Sequence, residues 1–161
     1  MWQELIDLFL RLEGAYGRIR ALAEKKHGLL VMINLAELEK ILKEEEKLAG
    51  AVKSLEDQRQ SILRRLAAAD KRIASHTKME ELCAYAPRRE IREELLLRHD
   101  KLNAVIEKVK ELQENNEVLT LAALQAVKAN LNRLGGATVS PTYGNAGQDR
   151  VTHRQNFEFK A

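Results

Sequence analysis

Residues 91–134 read IREELLLRHDKLNAVIEKVKELQENNEVLTLAALQAVKANLNRL, with neither a proline nor a glycine in the whole run. Ile91, Leu95, Leu102, Val105, Val109, Leu112, Leu119, Ala123 and Ala126 recur at the three-and-four spacing of a heptad seam, the period at which one face of an α-helix meets a partner. Begun at Arg88, just after Ala86-Pro87, this helix extends to Leu134 and is roughly 70 Å long at 1.5 Å per residue. A helix of that length cannot bury its own stripe, so other long helices must lie beside it.

Two such helices precede it. Trp2, Leu5, Phe9, Leu12, Tyr16, Ile19, Ala23, Leu30 and Ile33 form one seam, interrupted at Lys26, and predict a helix to about residue 32. Asn34 and Glu37 then form a capping-box pair that starts the next helix. Its seam of Leu38, Leu42, Leu48, Val52, Leu55, Ile62, Leu66, Ala69 and Ile73 predicts a helix over 35–74, roughly 60 Å long. Thr77 with Glu80 reads as a second capping box, opening a short helix over 79–85 that Ala86-Pro87 ends. The expected fold is all-α: an elongated antiparallel bundle or coiled coil of three long helices, a short connecting helix, and a flexible C-terminal tail. The division is a helical bundle domain over 1–134 and a tail over 135–161. Gly135-Gly136 stops the last helix, Pro141 prevents a restart, and the tail is too polar to offset the entropy of ordering itself.

Composition narrows the function. The 161 residues hold 45% hydrophobic and 32% charged residues but only 4% aromatics, the balance of a long-helix protein. Lys+Arg number 27 against Asp+Glu 24, and the two signs alternate along the same helices, as on a solvated face. Arg64-Arg65, Lys71-Arg72 and Arg88-Arg89 read as helix flanks, and no nucleic-acid motif accompanies them. The first 20 residues interleave apolar with charged positions, which predicts neither a secretory signal nor a membrane span, and a cytoplasmic location. Cys83 is the single cysteine, so it excludes an intramolecular disulfide and a multi-thiolate zinc site. His27, His76, His99 and His153 have no ligand spacing. Neither a nucleophile elbow nor a P-loop is present. Glu44-Glu45-Glu46 reads as a solvated helix face, and Cys83 as a small apolar packer. No enzyme activity, metal or cofactor is expected.

The pattern changes past Asn115-Asn116. Val118, Leu121, Leu124, Val127, Leu131 and Leu134 carry apolar surface around more than one helix face. Either this stretch lies deeper in the bundle or in a homodimer, or it is a surface for a client helix. Ala122, Ala123 and Ala126 would let such a helix approach closely. In the polar tail Tyr143, Phe157 and Phe159 stand out, either as anchors that order upon binding or as residues that pack back on the bundle. Arg59 and Asn116 sit at seam positions, where polar side chains either fix register at a cost in stability or contact a client.

Several pieces in order carry a family resemblance: Glu13-Gly14-Ala15-Tyr16, Asn34-Leu35-Ala36-Glu37-Leu38 leading to Glu44-Glu45-Glu46-Lys47-Leu48, Leu55-Glu56-Asp57-Gln58-Arg59, Asn115-Asn116, and Thr142-Tyr143-Gly144-Asn145-Ala146-Gly147 ahead of Lys160-Ala161. Together they resemble the FlgN-type flagellar export chaperones along the length of the chain. The resemblance implies a cytoplasmic type III secretion chaperone that binds the C-terminal helical regions of hook-associated, or hook–filament junction, proteins. It also implies that the chaperone prevents their premature assembly and aids delivery to the flagellar export apparatus. Client binding in that family lies toward the C-terminal helix, which here gives Val118, Leu121, Leu124, Val127, Leu131, Leu134 and, in the tail, Tyr143. The competing expectation is a homodimeric coiled-coil scaffold or adaptor with no export role, whose apolar face is consumed by self-association.

Overall fold

The computed structural model describes residues 1–74 and 76–135, together with the backbone of residues 137–139 and 151–153. The elements in chain order are α1 (Trp2–Met32), α2 (Leu35–Ala69), α3 (Met79–Ala84), α4 (Arg89–Gly135), β1 (Ala137–Val139) and β2 (Val151–His153). The chain divides into two compact units, Met1–Asn116 and Glu117–Ala161.

In the first unit α1 and α2 are antiparallel. Glu4 meets Arg65, Arg11 bonds Gln58 at 3.0 Å, and Lys26 bonds Glu45 at 2.8 Å. Helix α4 runs parallel to α1: the Phe9 and His99 rings are 6.3 Å apart, Glu13 faces Arg98 at 3.8 Å, and Asn116 reaches Ala23 at 2.8 Å. The order is therefore up, down, up, as the seams require, and the fold is an all-α bundle.

The core is concentrated at one end of this unit. Leu5, Phe9 and Leu12 of α1 are fully buried, in one cluster with Leu55, Ile62 and Leu66 of α2, Leu82 and Cys83 of α3, and Leu95 and Leu102 of α4. Toward the other end Ala23, Leu29, Leu30, Ile41 and Val109 are covered, with the polar Asn116 among them, but they lie outside that cluster. Asn116 is 3% exposed. Its Nδ2 donates to the Ala23 carbonyl, and its Oδ1 lies 3.2 Å from His27 Nδ1, which donates in the tautomer that joins them. A buried amide on a seam selects one register, since any slip would orphan it.

Some expectations are corrected. Helix α2 ends at Ala69 rather than near 74, because Asp70 adopts extended backbone (φ −133°, ψ 110°). Its carboxylate accepts from the Arg72 backbone N–H at 3.0 Å and from the guanidinium at 2.6 Å, a local turn that competes with helix. The Arg72 guanidinium holds the Asp70 carboxyl down to about 2, and it also stacks 5.0 Å over the Tyr85 ring. Ile73 is still buried beyond the turn, so the apolar period outlasts the helix. The second capping box is not formed: Thr77 Oγ1 accepts from Ala74 N at 2.8 Å, and Lys78 is the N-cap of α3 with no side-chain bond. In α2 the buried side chain is Ile41, while Leu42 is exposed. The first capping box does start α2, with Asn34 Oδ1 accepting from Glu37 N at 3.3 Å.

Helix α1 closes on Ile33, the one described non-glycine residue with positive φ (54°, ψ 44°). Asn34 N donates to Leu29 O and Ile33 N to Leu30 O, a left-handed cap that glycine usually supplies. A β-branched residue there costs about 1–2 kcal/mol, against about 0.5–1 kcal/mol of chain entropy for glycine. Ile33→Gly is therefore expected to raise stability in urea by about 0.5–1 kcal/mol. A fall instead would mean that the Ile33 side chain contributes more by contact than its backbone costs.

In the second unit, the last turns of α4 are followed by an antiparallel ladder pairing Ala137 with His153, Thr138 with Thr152 and Val139 with Val151. A flexible tail is the expectation from the sequence, and these residues pair as strands instead. Val and Thr at these positions suit a ladder, and their β-branched character was outweighed by the polar residues around them.

Candidate functional site: the apolar stretch of α4

From Glu117 onward α4 shows large apolar side chains to solvent. Val118, Leu121, Leu124, Leu131 and Leu134 are exposed, the last two to 61% and 81%. Val127 is half-buried, as are Leu119 and Ala123. The candidate residues do not all share one face. Successive residues rotate by about 100° around a helix, which spreads Leu134, Val127, Leu131, Leu124 and Leu121 over roughly 140° and sets Val118 about 60° beyond Leu121, one three-residue step along the same side. Tyr143, like Phe157 and Phe159, lies outside the described residues. By the same rotation Glu117 and Lys128 fall within this face, between Leu124 and Leu121, and Gln125 lies beside it, so the apolar positions are interspersed with polar ones.

A second exposed apolar group went unnoticed in the sequence. Val31, Met32, Ile33 and Leu35 surround the α1–α2 connection, with Met32 71% exposed. The signal was present: three apolar residues precede the Asn34 cap, where a helix end has no neighbouring turn to cover them. Ile33, in its strained conformation, belongs to this group.

Among the described residues there is no group of three or more His, Cys, Asp or Glu able to hold a metal ion. Cys83 is buried and bonded to nothing, and burial pushes its thiol up from the ordinary range, the reverse of an activated nucleophile. Lys40 and Lys110 are pushed up by the carboxylates of Glu37 and Glu107 on neighbouring turns, which are surface helix pairs. No helix among the described residues is long and apolar enough to cross a membrane.

The helices thus form an all-α bundle, and α4 carries exposed apolar side chains. The chain belongs to the FlgN family: the family described as FlgN protein matches residues 1–150. It is a FlgN-type protein, and its general role is that of a flagellar export chaperone, in a family of chaperones rather than enzymes. No curated protein and no solved structure matches the chain.

Proposed function

We propose that this protein is a cytoplasmic export chaperone that binds the C-terminal helical regions of hook-associated proteins, keeps them from assembling prematurely, and aids their delivery to the flagellar export apparatus. The observation that supports this reading is the strip of Leu121, Leu124, Leu131 and Leu134 left in solvent on α4. Junction proteins polymerise through terminal helices with apolar faces, and such a helix aggregates unless another apolar surface covers it. A helix laid along this strip buries both faces, using anchors at three- and four-residue intervals. Tyr143 serves as an additional anchor from the C-terminal segment.

The test is size-exclusion chromatography with light scattering on the full chain, alone and with the C-terminal region of a hook-associated protein from the same organism. A discrete complex of one chaperone and one client is the expected result. A stable homodimer that ignores the client would overturn it in favour of a coiled-coil scaffold.

A further inference from the structure

Helices α1 and α2 form an antiparallel pair whose two sides differ. Helix α4 meets α1 through Phe9, Glu13, Ala23 and His27. About half a turn around α1, at 100° per residue, lie Arg11, Gly14 and Arg18, which line a groove against α2. One part of the groove, about 530 Å³, is floored by Leu55 and faced by Ala51. A second part, about 410 Å³, shares Arg18 and runs on past Leu22 and Leu48. From Arg11 to Leu22 the two parts span roughly 16 Å, or three helical turns.

Charge indicates the occupant. Arg11 bonds only the neutral Gln58, and neither Arg18 nor Lys47 is in an ion pair among the described residues. Glu44 is the one carboxylate lining either part. Elsewhere on the same two helices Arg20, Lys26, Lys43 and Arg65 pair with glutamates, while Lys25 and Lys53 are in no ion pair among the described residues; the groove differs in gathering Arg11, Arg18 and Lys47 along one lining. Arg11 and Arg18 stand one heptad apart, so their guanidiniums repeat every two turns. Gly14 lies between them, and nothing comes within 4 Å of where its Cβ would be. The same is true of Gly17, Gly28, Gly50 and Gly135; Gly14 differs in lining the groove, where the missing side chain leaves room for a partner backbone.

The chain's own remaining segments have the wrong sign. Residues 140–161 carry Arg150, Arg154 and Lys160 against Asp149 and Glu158, three basic less two acidic side chains. The apolar face of α4 carries Lys128 as well as Glu117, so it is not acidic.

We propose that the α1–α2 groove docks an acidic amphipathic helix of a partner protein, with small apolar residues in its seam and carboxylates seven residues apart that meet Arg11 and Arg18. This surface is separate from the client strip, and its test does not depend on client binding.

The experiment measures fluorescence anisotropy of two labelled helical peptides of about 20 residues, long enough to hold helix in water, added to the full chain. One has an Ala/Leu seam flanked by Glu at heptad spacing, and the other has Lys at the same positions. The Glu peptide alone is expected to bind, with affinity falling as salt rises from about 50 to about 300 mM. Arg11→Glu with Arg18→Glu is expected to weaken it by about tenfold or more. Gly14→Leu, which fills the notch without changing charge, weakens it too, while circular dichroism confirms that each variant is folded. Leu124→Asp with Leu131→Asp leaves it unchanged. Equal binding of both peptides, or survival of binding in the folded charge-reversed variant, overturns the proposal, as does loss in the Leu124/Leu131 variant. Equal competition by a single-stranded oligonucleotide would assign the groove to nucleic acid instead. A photo-crosslinking residue at position 51 that captures residues 135–161 or a second copy, with no peptide present, would show the groove to be filled by this chain itself.

Discussion

Leu124→Asp combined with Leu131→Asp is expected to abolish capture of the hook-associated client while leaving helical content and melting temperature nearly unchanged. Leu124 and Leu131 are 45% and 61% exposed, so new carboxylates there remain solvated in the free protein and cost little. In a complex the same carboxylates are pressed against an apolar helix and lose their water without gaining a partner. The loss in affinity is expected to reach at least about 100-fold, since central apolar anchors carry most of an interface's energy. Titration of client against both proteins, with circular dichroism beside it, separates the outcomes. Loss of helix together with binding would mean these leucines support the fold; retention of both would remove the strip from the mechanism.

Phe9→Ala is expected to have the largest effect on stability. Phe9 is 1% exposed, belongs to the cluster with Leu5, Leu12 and Leu95, and touches the His99 ring. Truncating a buried phenylalanine costs about 3–5 kcal/mol, a large share of the roughly 5–15 kcal/mol of a typical domain. Urea unfolding followed by circular dichroism reads the change. Because the main cluster is at this end, Leu12→Ala should cost more than the chemically identical Leu30→Ala outside it, and equal costs would mean the bundle is uniformly packed.

The sequence conveyed the helices and their order because heptad spacing and caps are local: Asn34 and Ala86-Pro87 act within a few residues of where they stand. It conveyed less where a local bond defeats the period. The seam continues through Ile73, and only the Asp70–Arg72 turn reveals that the chain has left the helix before returning an apolar side chain to the core. Thr77 matched a capping box by spacing, yet its hydroxyl found Ala74 behind it. At the candidate site, the apolar residues past Asn116 include exposed ones, but their density does not carry angle: from Leu134 round to Val118 they cover roughly 200° of the helix, more than one flat face. The exposed group around Ile33 was hidden by the opposite error, a seam extended one residue beyond the point where a partner helix can cover it.

The lone buried thiol also has a practical consequence. Cys83 lies among Leu5, Leu82 and Leu95, with its proton held tightly by the apolar surroundings, so a thiol reagent reaches it only when that end of the molecule opens. The rate of modification by such a reagent therefore times this opening in the native chain, with no label to introduce and no second cysteine to confuse the signal. The bundle carries its own stopwatch, against which the effect of any bound partner on its breathing can be read.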